Sequence, residues 1–587
     1  MRRPFVSCSR PCSAHGFSAG GPTPSPCTWP ASGAGPSSSS GASPPLRRMP
    51  GPEAGNPPAS LAEGLARAAS SPAGLRLFNG RGQLTAELSY RALNQQARVR
   101  ATQLRALAGA GPRPAVVGLI AHTSLSFITD FLACQWAGLL PCPLPPPTVA
   151  LGVGPYVERT LRMLAAVQAS ALLLDASHTP LQAAFERQAE SIAPGLRVVP
   201  TDSLPAAADT VGLQPLQGSD AAYIQFSSGT TNAPKGIEIS QRAICHNLHA
   251  ILHAGLRIQP DDRAFSWLPL YHDMGLVGFL LAPILGAVPL DLLPPQAFAR
   301  HPQLWPRLMA ELRSTICFAP SFAWGLAADR TPPDQASALR LKLRVAGVGG
   351  DVVREHDLHR FATRFDVSGF SAGQFHPCYG LAEATLAVSM GPASVDAHGR
   401  STSGTPLPGW DIRIVDDAGA PLPAMQTGRI HLRGPALMTG YWQHGRLSPV
   451  SPQDWFATED LGHLTPAGEL VVTGRLQSLL VIRGRNVHAE AVEAAVCAQL
   501  QLAHGTVMAL QEARAPGESM ALVVLVECPV QDPDQRRQWA DTARRAAFSA
   551  SGDAAEIRLV APRTVKLTTS GKIARQMTLD HLRQGHD

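Results

Sequence analysis

Unbroken apolar runs alternate along this chain with stretches whose apolar residues recur every third or fourth position. Ala115 to Ile120, Pro141 to Leu144 and Ala171 to Leu174 are short runs of the first kind, which predicts strands buried on both faces. Ser124 to Leu140, Tyr156 to Ala169 and Pro180 to Ala189 carry the helical period between and after them. Strands alternating with helices of this length predict a parallel sheet clad with helices. Upstream lie a short amphipathic helix at Leu61 to Ala69, a hairpin from Leu77 to Tyr90 around Asn79-Gly80-Arg81-Gly82, and a helix from Tyr90 to Leu107. The rhythm continues through Ser240 to Leu256, Pro302 to Leu312, Thr315 to Phe318 and Arg344 to Val348, the last leading into Gly349-Gly350.

Near Ile412 to Val415 and Gly428 to Leu432 the texture changes. Short β runs broken by Asp416-Asp417-Ala418-Gly419 and Arg433-Gly434-Pro435 predict a small antiparallel subdomain. Beyond Gly474-Arg475 the pattern gives a helix at Ala489 to Leu500, a strand at Ala521 to Glu527, a helix at Asp534 to Phe548 and a strand at Glu556 to Val560. The expectation is α/β: a large N-terminal body of mixed sheets with helices over residues 61–476, and a small C-terminal α+β domain over 477–587, with Gln477 as hinge. The run Leu276 to Leu293 is apolar, but its prolines, Asp291 and the polar Tyr271-His272-Asp273 just upstream predict a buried helix and strand, with no membrane span.

Composition narrows the picture. The chain has 587 residues, 45% hydrophobic and 16% charged, enough for a large core. Residues 1–60 are rich in Pro, Ser, Gly and Ala, which predicts a disordered extension; it is basic, serine-rich and acid-poor, as targeting peptides are, while Met49 opens a more ordinary sequence. Net charge is +6, and Arg2, Arg3, Arg10, Arg47 and Arg48 all precede Met49, so the remainder is near neutral and no nucleic-acid partner is expected. The ten cysteines form no C-x-x-C pair or Cys/His cluster with zinc spacing. Cys134, Cys142, Cys245 and Cys317 sit in apolar runs as buried thiols, which fits a cytoplasmic location.

The candidate chemistry concentrates in Phe226-Ser227-Ser228-Gly229-Thr230-Thr231-Asn232-Ala233-Pro234-Lys235-Gly236, between the apolar pieces Ala221 to Ile224 and Ile237 to Ile239. A strand feeding such a loop offers backbone N–H groups, hydroxyls and an ammonium to a polyanion, and ATP phosphates are the natural guest. The spacing is not that of a P-loop. A polar surface turn has the same composition.

Taken with four downstream motifs in order, the loop resembles that of the adenylate-forming superfamily of acyl-CoA synthetases, aryl-acid ligases, adenylation domains and luciferases. The motifs are Trp267 to Gly275, Cys378-Tyr379-Gly380-Leu381-Ala382-Glu383-Ala384-Thr385, Asp460 followed by Gly474-Arg475, and Thr568-Thr569-Ser570-Gly571-Lys572. Within the superfamily Trp267 to Gly275, Ala319 to Ala323, Phe375-His376-Pro377 and Gly484-Arg485-Asn486 look like those of fatty acyl-AMP ligases. The chain departs from that subgroup at Met390 to Gly404, where most of an expected insertion is missing, at Gln477-Ser478 in place of Lys-Asp, at Glu459, and at Asn232.

The resemblance implies the adenylate-forming enzyme fold with a mobile C-terminal domain. It implies activation of a fatty or other hydrophobic carboxylic acid by ATP to acyl-AMP and pyrophosphate, then transfer to a holo acyl carrier protein. An acyl- or aryl-CoA ligase and a non-catalytic nucleotide-binding protein are the alternatives. Lys572 would bridge carboxylate and α-phosphate, and His272 would border the carboxylate pocket. Ser227, Ser228, Gly229, Thr230, Thr231 and Lys235 would hold phosphates. Gly349 and Gly350 would let the backbone approach the nucleotide, and Tyr379 with Gly380 would meet adenine. Asp460 and Arg475 would bind the ribose. Glu383 with Thr231 would position Mg2+, an oxygen-seeking ion.

Overall fold

The computed structural model describes residues 56–107, 113–147, 152–205, 212–226, 234–482, 485–503, 505–513, 520–567 and 573–583. The expected disorder over most of the N-terminal extension therefore lies outside the described residues.

Local signals start several helices. Ser60, Ser89, Ser124 and Ser240 each accept a hydrogen bond from the backbone N–H three residues on, capping helices Leu61–Ala68, Tyr90–Leu104, Leu125–Ala137 and Gln241–Ala250. Gly138 ends the third of these at φ +70°, a left-handed stop that suits glycine. Between strands Gly74–Phe78 and Leu84–Ser89, the Asn79 carboxamide oxygen accepts from the N–H groups of Arg81 (2.9 Å) and Gln83 (3.1 Å), which closes the hairpin read from the sequence.

The largest sheet has nine strands. Its order is Thr405–Pro406, Ala387–Met390, Phe375–Gly380, Val345–Val348, Ile316–Ala319, Ala264–Ser266, Leu290–Leu292, Gly74–Phe78 and Leu84–Ser89. The pairings from Phe375–Gly380 through Gly74–Phe78 are parallel, and the edges are antiparallel. The apolar run around Leu276 folds as a buried helix, Met274–Leu285, returning through strand Leu290–Leu292. Asp291, fully buried there, is held by Arg76 at 2.7 Å and Arg263 at 3.3 Å, so the charge in this apolar stretch is paired. No helix among the described residues is long and apolar enough to cross a membrane.

An aromatic cluster fills the core beside this sheet. Trp305 and Trp324 are fully buried with ring centroids 4.5 Å apart, and Phe361, Phe370 and Phe375 pack on Trp324. Burial of each such side chain is worth about 1.5–3 kcal/mol.

A second sheet is wholly parallel, in the order Leu140–Leu144, Val116–Ile120, Ala171–Leu174, Arg197–Pro200. Val117 and Leu119 face the main core, while Val116 and Ile120 face a separate cluster with Tyr156, Leu161 and Phe185. Both faces are covered, which explains the unbroken apolar runs. A third sheet pairs Ala221–Phe226 with Gly236–Ser240, and the latter with Gly440–Gln443. The expected antiparallel subdomain is the sheet Asp411–Val415, Gly428–Arg433, Phe456–Leu464 and Leu470–Arg475.

The C-terminal α+β unit is a sheet of Val507–Ala513, Met520–Glu527 and Ala555–Val560. Helices Ala489–Leu500 and Pro533–Ser551 cover one face; Val565 and helix Arg575–Arg583 cover the other. The molecule is thus an α/β adenylate-forming fold, with a large mixed-sheet body and a smaller C-terminal α+β domain.

Candidate active site

One cavity of about 1010 Å³ runs from the carboxyl ends of the central strands toward the C-terminal domain. Its position follows from topology, since loops leaving neighbouring parallel strands meet at their carboxyl ends. Val345–Val348 delivers Gly350 to the cavity, and Phe375–Gly380 delivers Cys378, Tyr379 and Gly380.

The polar end is built on pairs that strand register sets. Asp460 and Arg475 face each other across two antiparallel strands, with Arg475 Nε 3.3 Å from the carboxylate. The Tyr379 hydroxyl donates to the other Asp460 oxygen at 2.8 Å. Burial first, and then the adjacent Asp460 carboxylate, hold the Tyr379 phenol well above its usual range, so it stays a donor. Burial opposes the charge of Arg475, but Asp460, with Asp351, Tyr379 and Glu383 nearby, outweighs it and raises its pKa. The two motifs carrying these residues, Tyr379 in one and Asp460 with Arg475 in the other, lie 81 residues apart at Tyr379 and Asp460 and meet here.

Glu383 lies on the short turn Ala382–Ala384 and accepts from the Tyr441 hydroxyl at 2.9 Å. Burial raises its pKa; its own backbone N–H and Tyr441 oppose the rise, while Asp273 and Asp460 add to it. Lys235 sits 5.8 Å from the centroid of the Tyr441 ring, within cation–π range. A half-buried carboxylate with a hydroxyl and further carboxylates around it is an all-oxygen set, which suits Mg2+.

The turn that carries Glu383 is strained. Thr385, β-branched and fully buried, has φ +66° and is anchored by its hydroxyl to the Ala436 carbonyl at 2.7 Å. Such a conformation costs about 1–3 kcal/mol and persists where packing fixes it. Just before it, a Cβ on Gly380 would lie 1.6 Å from the Leu386 carbonyl oxygen, so only glycine fits.

His272 and Asp273 both line the cavity, with Nδ1 of His272 2.6 Å from the Asp273 carboxylate. Asp273 also accepts from the Met274 N–H at 2.6 Å, the helix-start role read from the sequence. Gly350, at φ +83°, lines the cavity; Gly349 instead packs where a Cβ would meet the Cys378 sulfur at 2.5 Å. Gln477 also lines the cavity.

The other end is apolar. Leu252, Leu256, Ile258, Val288, Ile316 and Phe318 supply its apolar wall. Leu567, Ile573, Ala574, Gln576 and Met577 of the C-terminal domain also line the cavity, and Leu567 and Ile573 form a β-bridge with each other. Ser227, Ser228, Gly229, Thr230, Thr231 and Lys572 lie outside the described residues.

Two site residues escaped the sequence reading. Tyr441 reaches Glu383 because Gly440–Gln443 pairs with Gly236–Ser240, a contact across some two hundred residues. Its signal was an aromatic pair, Tyr441-Trp442, in a short strand. Gln225 lines the cavity from the strand entering the Ser/Thr/Gly loop, donates to the Tyr271 carbonyl at 3.3 Å, and keeps a buried side-chain oxygen without a partner.

The sequence signature of the family described as AMP-binding enzyme matches residues 66–442. A protein of Caulobacter vibrioides named a putative acyl-CoA synthetase is 33% identical over 546 residues, covering 88% of this chain and 94% of its own length. A medium-chain fatty-acid–acyl-carrier-protein ligase of Moorena producens is 29% identical, over 76% of this chain and 81% of its own. A solved structure from a study of fatty acyl-adenylate ligases of E. coli and L. pneumophila superposes with a TM-score of 0.80 at 33% identity, over 92% of this chain and 100% of that one. The chain belongs to the AMP-binding enzyme family, the adenylate-forming superfamily, close to the fatty acyl-AMP ligases. It catalyses ATP-dependent activation of a carboxylic acid to an acyl adenylate.

Proposed function

We propose that this ligase activates a hydrophobic carboxylic acid, fatty or aryl-alkanoic, and passes the acyl group to a pantetheine thiol. The observation that carries this reading is the single cavity that joins the Tyr379–Asp460–Arg475 end to the apolar wall of Leu252, Leu256, Ile258 and Val288. Adenosine takes the polar end: Tyr379 presents its ring, and Asp460 accepts from the ribose hydroxyls with Arg475 bracing it. The acyl group takes the apolar end, and its carboxylate comes to rest near His272.

The acid needs no general base, since a carboxylate is already ionised near neutral pH. Its oxygen attacks the α-phosphorus, the bond from that phosphorus to the bridging oxygen breaks, and pyrophosphate leaves with the electron pair. The obstacle is the approach of an anion to a polyanion, so positive charge and oriented donors in a dry site must lower the barrier. Lys572 is the cation assigned to the carboxylate and α-phosphate, and Lys235 with the hydroxyls of Ser227, Ser228, Thr230 and Thr231 to the leaving phosphates. Glu383, with Thr231, would hold Mg2+, which when bound neutralises phosphate charge.

For the thiol, coenzyme A is the acceptor better supported. The 33% identical relative bears the name of a putative acyl-CoA synthetase, and a 28% identical protein found in two strains of Mycobacterium tuberculosis that of a putative fatty-acid–CoA ligase. The segment where an insertion was expected is also closed up. Val395 and Ser401 bridge, and Asp396 binds the N–H groups of His398 (2.8 Å) and Arg400 (2.9 Å) and the His463 ring (2.9 Å). The holo acyl carrier protein is the second reading, favoured by the Moorena ligase and by the superposed fatty acyl-adenylate ligase.

The test is thioester formation from a panel of fatty and aryl-alkanoic acids, with CoA and a holo acyl carrier protein side by side. Faster turnover with CoA is the expected outcome. Faster turnover with the carrier reverses the choice of acceptor, and acyl-AMP formed with neither thiol consumed removes the transfer step.

A further inference from the structure

The wholly parallel sheet contains a point where the chain reverses its direction of travel. After strand Val116–Ile120 the chain enters helix Leu125–Ala137, which packs on the main core. After strand Ala171–Leu174 it enters helix Gln182–Ile192, which packs on the opposite face. These two strands are hydrogen-bonded neighbours, so their outgoing loops diverge and leave a crevice at the carboxyl ends. Open α/β sheets bind ligands at such crevices. None of the residues considered next lines the adenylation cavity.

His122 stands in the first loop, and Asp175 and His178 in the second. Their ligand atoms all lie within 4.8 Å of one another. His122 Nε2 is 3.1 Å from one Asp175 oxygen, and His178 Nδ1 is 2.8 Å from the other. The two imidazoles meet edge to face at 4.9 Å. Side-chain exposures of 28% for His122, 15% for Asp175 and 8% for His178 leave the cluster reachable from solvent yet shielded from it.

The surrounding bonds bear on what the cluster holds. His122 Nδ1 lies 3.3 Å from the Ile120 carbonyl, a group that only accepts. That bond puts the ring proton on Nδ1 and turns the Nε2 lone pair toward the carboxylate. Two acceptors at that separation are held together by a shared cation, either a proton on Nε2 or a metal ion. Asp175 is oriented in turn by the Ser177 N–H at 3.0 Å and hydroxyl at 2.6 Å. A backbone carbonyl behind an imidazole and donors behind a carboxylate are the outer contacts that orient metal ligands.

We propose that His122, Asp175 and His178 form a binding site for a divalent ion of the zinc class, with the fourth position open to water. Zinc takes nitrogen and oxygen donors at about 2.0–2.2 Å, which sets adjacent donors about 3.3 Å apart. The pairs at 3.1 Å and 2.8 Å lie slightly under that spacing, and all three ligand atoms lie within 4.8 Å of one another. Two imidazoles and one carboxylate select zinc-class ions over Mg2+ or Ca2+, which prefer oxygen. The site is separate from the oxygen ligands around Glu383.

The experiment titrates metal-stripped full-length protein, without nucleotide, with Zn2+ by calorimetry. One tight ion per chain is expected, and His178→Ala and His122→Gln should each weaken it by about tenfold or more. Acid-dependent pyrophosphate release by each variant reports that it is folded. Co2+ bound to the wild-type protein should give visible d–d bands without the near-ultraviolet band of a thiolate ligand, a readout that needs no variant. Absence of a tight ion, equal affinity in both folded variants, or a thiolate band would each overturn the proposal.

Discussion

The Tyr379 hydroxyl bonds to Asp460, which Arg475 also holds, so loss of one contact should loosen the carboxylate without freeing it. Tyr379→Phe removes one hydrogen bond to a charged group, worth about 1.5 kcal/mol or somewhat more. The expected result is a KM for ATP raised by about tenfold, with kcat nearly unchanged, read from initial rates of pyrophosphate release. Glu383 gives a prediction in pH. Burial raises its carboxyl above the usual glutamate value of 4.5, so the fold favours the protonated form. That contribution to stability is complete below the ordinary value and is lost as pH rises through the raised one. Glu383→Gln removes the loss. Without nucleotide, the variant should therefore gain melting temperature over wild type as pH rises through that window, and a constant difference across it would contradict the assignment. Much of this scale was legible in the sequence: Tyr379, Asp460, Arg475 and Glu383 each lie in a short motif that marks them. Tyr441 and Gln225 were not legible, because their place at the site depends on pairing between distant strands.

At the scale of elements, the hairpin of Phe375–Gly380 and Ala387–Met390 presents both Tyr379 and the Glu383 turn. It closes only because Gly380 lacks a side chain. Gly380→Ala should push the strands apart and cost about 2–4 kcal/mol, seen as a lower denaturant midpoint with weakened ATP binding; unchanged values of both would show that the hairpin yields freely. The alternation of strand and helix was readable because fully buried strands leave unbroken apolar runs. The order of strands was not. Gly74–Phe78 pairs in parallel with Leu290–Leu292, and the Arg76–Asp291 pair across that seam gives no local signal. Strand Val507–Ala513 also went unread, since its apolar start followed by Gln511-Glu512 does not separate strand from helix by period.

For the whole molecule, the division into a large body and a smaller C-terminal unit was visible as a change of texture, and both contribute walls to one cavity. The size and path of that cavity were not visible, since residues from all along the chain build it. In the proposed function, ATP and a hydrophobic carboxylate meet in that cavity. The most direct measurement is acid-dependent ATP–pyrophosphate exchange, with no thiol present, across fatty acids of graded length and aryl-alkanoic acids. Exchange is expected to require an acid, to rise with the apolar surface of its tail, and to be negligible with acetate. Exchange absent for every hydrophobic acid, or as fast with acetate as with the longer acids, would contradict the proposed function.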